Sequence, residues 1–293
     1  MDAERRAVVT GANTGLGLAA ATSLAAAGWS VTFAVRNTAK GEAAAATLRC
    51  VLPTAAVAVR HLDLADLDSV KAFAAGWEGP LQLLMNNAGM MLVPHRAFTI
   101  EGFEEQMGVN HLGHYLLTAL LLPALTSGSG RVVTVSSIAH HTARKLDRGL
   151  GLTGTYTPMG GYGQSKLAVL MFALELDRRL RRDRIGVTSV AAHPGLSATT
   201  LTAPGDRGDA PSAFIWASRK ATQLVGSPAE HGARSQLYAA TAPDLAGGSF
   251  YGPRFGIYGK PHRAAPSKAA RNIDDARWLF DASAELTGAV LLG

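Results

Sequence analysis

The chain has 293 residues, 47% of them hydrophobic and 17% charged, and a formal net charge of +6 at neutral pH. That length can bury a sizeable core, and the balance of apolar to charged residues excludes long disorder. Cys50 is the only cysteine, so an intrachain disulfide and a multi-cysteine metal site are excluded as well. The densest apolar run, Leu116 to Leu125, is too short to span a bilayer and contains Pro123. No apolar leader follows Met1, and the expected setting is the cytoplasm. Much of the positive charge gathers in Arg178, Arg179, Arg181, Arg182 and Arg184, near the end of a predicted helix, where the helix dipole favours cations. No aromatic residues interleave with these arginines, so they read as a solvated helix end and not as a nucleic-acid surface.

Strand and helix signals alternate along the chain. The apolar run Ala7 to Thr10 predicts a buried strand, followed by a glycine turn and an Ala/Leu-rich helix to about Ala27. A second strand covers Trp29 to Val35 and a helix Ala39 to Arg49. Then come strand Ala56 to His61, helix Leu67 to Ala75, strand Leu81 to Asn86 and a long helix Glu101 to Leu125. Strand Arg131 to Ser136, helix Gly160 to Arg182 and strand Val187 to Ala192 complete the regular pattern. Alternation of this kind predicts an α/β Rossmann fold in one domain: a doubly wound parallel sheet of about seven strands with helices on both faces. Ligands then bind outside the C-terminal ends of the strands. The looser stretch at about 200–226 carries Pro204, Gly205, Gly208 and Pro211 and then Phe214, Ile215 and Trp216, and is expected to be a flap over the site.

The first turn reads Thr10-Gly-Ala-Asn-Thr-Gly-Leu-Gly17. Gly11, Gly15 and Gly17 let the chain turn tightly and let backbone N–H groups approach a pyrophosphate at a helix N-terminus, with Asn13, Thr14 and Leu16 between them. The spacing is Gly-x-x-x-Gly-x-Gly, and its place between a strand and a helix makes it a dinucleotide site. At the end of the second strand an NAD site usually carries an acid for the ribose 2′-hydroxyl. Here Val35 is followed by Arg36, which favours a 2′-phosphate and hence NADP(H). Tyr162 and Lys166 stand four residues apart, on one face of a helix. A phenol with an ordinary pKa near 10 is a poor base at neutral pH, and a nearby ammonium favours its phenolate. Such a phenol can pass a proton to a carbonyl oxygen or take one from an alcohol.

Read in order, Thr10-Gly-x-x-x-Gly-x-Gly17, Asn86-Asn-Ala-Gly89, Asn110, Ser136-Ser137, Tyr162-x-x-x-Lys166 and Pro194-Gly195 resemble the short-chain dehydrogenase/reductase superfamily over essentially the whole chain. Val109 to Tyr115, Ser136 to His141 and Trp278 to Gly288 look like its retinol dehydrogenase, WW-domain oxidoreductase and protochlorophyllide reductase branch. The resemblance implies that Ser137 hydrogen-bonds the substrate oxygen, Tyr162 is the acid/base, and Lys166 binds the nicotinamide ribose and lowers the tyrosine's pKa. It implies that Asn110 holds a water linking Lys166 to solvent. Asp63, beside Leu64, would contact the adenine, Asn87, Ala88 and Gly89 would line the adenosine ribose, and Pro194, Gly195 and Thr199 would position the carboxamide. Family members often pair through two long helices, here Glu101–Leu125 and Gly160–Arg182, so a homo-oligomer (dimer or tetramer) is an open expectation.

The segment from His140 to Gly161 lengthens the path between Ser137 and Tyr162 relative to short members and is expected to wall the substrate pocket. The N-terminal anchor common among animal retinol dehydrogenases is not seen. His111, His114, His140 and His141 lack a carboxylate or cysteine at ligand spacing, and no metal is expected. Phe214 to Trp216 and the later Phe250, Tyr251, Phe255 and Tyr258 suggest a bulky apolar carbonyl or alcohol substrate, or else close the core. The reading is an NADP(H)-dependent carbonyl reductase or alcohol dehydrogenase. The alternatives are a non-catalytic NADP-binding sensor or scaffold on the same fold, and light-driven reduction of a carbon–carbon double bond. A single cysteine argues against the latter, because the enzymes that do it carry several around the pigment.

Overall fold

Eight strands form one sheet in the order β3-β2-β1-β4-β5-β6-β7-β8. The strands are β1 (Arg6–Thr10), β2 (Ser30–Val35), β3 (Val57–His61), β4 (Leu83–Asn86), β5 (Arg131–Val135), β6 (Thr188–Ala192), β7 (Phe250–Pro253) and β8 (Pro261–Arg263). The computed structural model describes residues 5–195 and 229–292, so Thr199 and the expected flap at about 200–226 lie outside the described residues. β1 to β7 run parallel, which meets the expectation of about seven strands, and β8 returns antiparallel to β7 as an added edge. The order reverses between β1 and β4, where a crevice opens at the strands' C-terminal ends.

The period of two along each strand divides the core. Ala7 and Val9 of β1, Leu83 and Met85 of β4 and Val133 of β5 face one layer, whereas Val8, Leu84 and Val132 face the other. The first layer holds α1 (Gly15–Ala26), α2 (Thr38–Val51) and α7 (Ala229–Thr241). The second holds α3 (Leu67–Ala75), α5 (Gly113–Ser127), α6 (Pro158–Arg182) and α8 (Ile273–Thr287). Burial on both faces explains the nearly unbroken apolar strands.

The expected helix from Glu101 to Leu125 is divided. Its first turn is not helical. The Glu104 carboxylate caps a short helix, α4 (Glu105–Met107), by accepting from the Gln106 and Met107 amides. A π-helical turn, Gly108–Leu112, leads from it into α5. Glycine is needed at both edges of that turn. A Cβ on Gly108 would lie 2.4 Å from Thr99 Cγ2, and one on Gly113 2.5 Å from the Leu64 carbonyl oxygen. π-turns within helices commonly mark functional sites, and this one carries Asn110.

Two expectations about the surface are refined. Arg179 is buried and pairs with Glu175 and Asp281, and Arg178 pairs with Glu175, so these two arginines belong to an ion-pair network, while Arg181, Arg182 and Arg184 are exposed as a solvated helix end is. Phe250 and Tyr251 lie inside the core on β7, and only Phe255 and Tyr258 are exposed. Within the chain, the long helices also pack against α8: Tyr115 and Phe172 meet Phe280 edge-on and stacked. The apolar C-terminal stretch tucks in beside them, with Leu291 buried and the Leu292 carbonyl held by Arg179.

Candidate active site

The proton-handling residues meet at the C-terminal end of β5. Ser136 and Ser137 end that strand, and their hydroxyls part ways. Ser136 Oγ is buried and donates to the Lys166 carbonyl at 2.8 Å. Ser137 Oγ accepts the Ala139 N–H, capping a 3₁₀ turn over Ile138–Thr142, and its hydroxyl neighbours the Tyr162 phenol. Of the two serines, Ser137 is the one that neighbours the tyrosine. α6 begins with Thr157 as its cap and Pro158 in its first turn, which delivers Tyr162 and Lys166 on successive turns of one face.

Lys166 is buried, with Nζ donating to the Val135 carbonyl at 3.0 Å and standing 5.9 Å from the Tyr162 ring centre. Burial pulls its ammonium down to about 8. Burial pushes the Tyr162 phenol above its ordinary value, and the neighbouring Ser137 hydroxyl opposes this only partly. In the protein alone, desolvation of the phenolate is the dominant influence on the phenol. Asn110 does not stand open to solvent. Its Oδ1 accepts the Met90 N–H at 2.8 Å, and its Nδ2 donates to the Met90 carbonyl at 3.0 Å and to Ser165 Oγ at 2.9 Å. Gly89 sits between them, where a Cβ would lie 3.1 Å from Asn110 Oδ1 and 3.3 Å from Lys166 Nζ.

The glycine turn has the form a dinucleotide requires. Gly11 and Gly15 have φ of +67° and +54°, which L side chains rarely adopt. A Cβ on Gly17 would sit 2.3 Å from the Gly11 carbonyl oxygen. α1 starts after an extended Thr14, with no side-chain cap and no acid in its first turn. Its free N–H groups and dipole suit a pyrophosphate. Asn13 is half-buried, Thr14 exposed and Leu16 in the core. Around this turn, Arg36 is exposed at the end of β2. The Asp63 carboxylate accepts the Ala65 N–H, and Leu64 is buried against Gly113. Asn87 Nδ2 donates to the Thr10 carbonyl at 2.8 Å, and Thr10 Oγ1 accepts the N–H groups of Asn87 and Ala88. Pro194 and Gly195 (φ +74°) follow β6, with the Gly195 N–H donating to His193 Nδ1 at 3.2 Å. The described residues thus bring every expected site residue except Thr199 to the same sheet edge. The donors, the uncapped helix end and the cradle that a Cβ would fill all fit a nicotinamide dinucleotide.

Similarity agrees with this geometry. Residues 5–209 match the family model for short chain dehydrogenase. The chain belongs to the short chain dehydrogenase family. Within it, human retinol dehydrogenase 12 is 40% identical over 286 residues, covering 96% of this chain and 85% of that protein. Mouse polyprenol dehydrogenase is 39% identical over 298 residues, covering 97% and 84%. A crystal structure of an uncharacterized protein from Mycobacterium Paratuberculosis superposes with a TM-score of 0.81 at 43% identity, covering 98% of this chain and 94% of that one. This family is one of nicotinamide-dependent oxidoreductases, and the chain falls in its retinol dehydrogenase-like branch.

The segment after Ser137 walls a cavity of about 240 Å³ together with Arg96 and Glu104. Gly160, Gly161 and Gln164 of α6 line it, while Ser137 and Tyr162 do not. The extra length therefore builds a chamber of mixed polar and apolar lining. Among the described residues no group of three metal-ligating side chains occurs, and no helix is long and apolar enough to cross a membrane. Sequence reasoning weighed the histidines only as metal ligands and missed what they hold. His140 Nδ1 donates to the Ser137 carbonyl at 2.6 Å, and His193 accepts from Gly195. It also missed Gln236 of α7, whose Nε2 donates to Asn87 Oδ1 at 3.1 Å. For the histidines the signal was position, within three residues of a site residue. For Gln236, in a helix distant in sequence, there was none.

Proposed function

We propose that this chain is an NADP(H)-dependent oxidoreductase that interconverts a carbonyl and an alcohol on a bulky apolar substrate, with Tyr162 as acid/base. The observation that carries the reading is the placement of the Ser137 hydroxyl beside the buried Tyr162 phenol, with the Lys166 ammonium one helical turn away. When bound, the nicotinamide supplies or takes the hydride. The chain supplies the proton and the orientation. Tyr162 O–H donates to the substrate oxygen as it gains charge, and Ser137 hydrogen-bonds the same oxygen. A phenol held above its ordinary pKa stays protonated at neutral pH, which is the form that reduction needs.

Gly11, Gly15 and Gly17 with the α1 N-terminus would hold the pyrophosphate and Arg36 the 2′-phosphate. Asp63 would meet the adenine, Asn87 to Gly89 the adenosine ribose, Lys166 the nicotinamide ribose, and Pro194 and Gly195 the carboxamide. Arg36 supports NADP(H) over NAD because no acid ends β2. The apolar substrate class is supported by the relatives' names, since retinol and polyprenols are apolar alcohols. The test is NADPH consumption across a panel of apolar aldehydes and ketones, with Tyr162→Phe alongside. Turnover that disappears in the variant, with NADPH affinity kept, is expected. A fully active Tyr162→Phe protein would overturn the assignment.

A further inference from the structure

One buried histidine joins the proton-transfer residues to the cofactor turn. His114 lies in the first turn of α5, four residues after Asn110, and is 2% exposed. Its Nδ1 is 3.0 Å from the Asn110 carbonyl oxygen and its Nε2 is 2.9 Å from Thr10 Oγ1. A carbonyl oxygen only accepts, so Nδ1 carries the proton and Nε2 is left as an acceptor. The Thr10 hydroxyl then donates to Nε2. Both of its lone pairs are free for the N–H groups of Asn87 and Ala88, at 2.9 and 2.8 Å. The other acceptor within reach of Thr10, the Met85 carbonyl, is farther away at 3.3 Å. Every donor and acceptor in this chain has one role, and the roles are mutually consistent.

The two ends of the chain are the two halves of the site. At one end the Asn110 amide grips Met90 and Ser165, next to Lys166. At the other, Thr10 shapes the turn that leads to Gly89. We infer that His114 is a positioning residue for hydride transfer: as the neutral Nδ1–H tautomer it fixes the π-helical turn bearing Asn110 against the Thr10–Asn87–Ala88 turn, so that proton-transfer and cofactor-binding groups keep one register. The inference rests on the reading of Asn110, Ser137, Tyr162 and Lys166 as the reacting set. The titratable groups facing the ring are Lys166 and His111. Burial, together with the Lys166 ammonium, holds the imidazole down to about 4, so the neutral form persists where the enzyme works.

A space-filling role is met by any ring of this size, whereas a positioning role needs a donor at the depth of Nδ1 and an acceptor at the depth of Nε2. Two substitutions separate these. His114→Asn reaches the Asn110 carbonyl but not Thr10, and His114→Gln reaches Thr10. We expect the Asn variant to weaken NADPH binding about tenfold with a smaller loss in kcat, and the Gln variant to lose about tenfold in kcat with a smaller loss in affinity, each reflecting one buried hydrogen bond. His114→Phe should lose both. Nitrogen-15 histidine NMR on the wild type, with His114→Asn used for assignment, should show the Nδ1–H tautomer without titration from about pH 5.5 to 8.5. An Nε2–H tautomer, an ordinary midpoint near 6.5, or equal losses in all three variants that merely track their melting temperatures would overturn the inference. Affinity is titrated without substrate and the tautomer needs no turnover. A wild type inactive on every carbonyl would therefore count against the proposed reaction while these two readouts still decide the role of His114.

Discussion

Lowering the pH from 7 to 5 should remove several kcal/mol of stability, because the fold buries histidines in their neutral form. His111 donates from Nε2 to Ser283 Oγ at 2.7 Å and is held down to about 3 by burial and by His114. His114 and His193 are each held down to about 4, His114 by burial and Lys166 and His193 by burial and the facing His140 and His141. The unfolded chain takes up these protons near the ordinary pKa of 6.5, so between 6.5 and about 4 it binds more protons than the native state, and stability falls with pH. At pH 5 the 1.5 pH units below 6.5, at 1.36 kcal/mol each, cost about 2 kcal/mol per histidine, or on the order of 6 kcal/mol for these three. His140, also held down to about 4, adds in the same direction. Two buried carboxylates with raised pKa values, Glu104 and Asp177, work in the opposite sense. Against a typical domain stability of about 5–15 kcal/mol the loss is large. The assay is urea unfolding at pH 7.5, 6.5, 5.5 and 5.0 for wild type and His193→Asn, whose amide oxygen can still accept from Gly195. The midpoint should fall steeply below pH 6.5, and the variant should lose about a third of that fall. A midpoint that is flat or rises between pH 6.5 and 5.0 would refute the reasoning.

Reversing the charge at the end of β2 with Arg36→Glu should turn the NADPH preference toward NADH by about 10- to 100-fold, the worth of one charge-assisted hydrogen bond to phosphate; cofactor titrations with both nucleotides check it, and an unchanged ratio would remove Arg36 from the 2′-phosphate site. Gly89→Ala places a methyl group 3.1 Å from Asn110 Oδ1 and 3.3 Å from Lys166 Nζ. It should cut kcat about tenfold or more, since small misplacements of reacting groups are costly, while the melting temperature moves little; steady-state kinetics beside a thermal melt decides it.

The candidate site was legible in the sequence because its groups are local. A phenol and an ammonium one helical turn apart, a glycine triplet between a strand and a helix, and an arginine in place of an acid at a strand end each fall within a few residues. Backbone geometry alone then places them at the C-terminal ends of β1, β2 and β5. Period-two and apolar runs located β1 to β6 for the same reason. What the sequence did not carry depends on groups far apart in the chain. The π-helical turn at Asn110 was read as plain helix because the glycines that permit it, Gly108 and Gly113, are pressed against Thr99 and Leu64 of other segments. Phe250 and Tyr251 suggested a substrate wall, yet β7 joins the sheet beside β6 and places both in the core. The long helices α5 and α6 are braced by α8, more than ninety residues on from the end of α6 and attached through Phe280 and Asp281.

The histidines divide the same way. Their number and spacing were visible from the start, but whether an imidazole is a ligand, an acid or a neutral bridge depends on its partners. His114 finds Thr10, 104 residues away, and His111 finds Ser283, 172 residues away. The sequence therefore pointed to an oxidoreductase of this family, since that needs only the right groups at helical and turn spacing. The tertiary structure decided the protonation states of the phenol, the lysine and the histidines, because these follow from burial and from hydrogen-bond partners that only folding brings together.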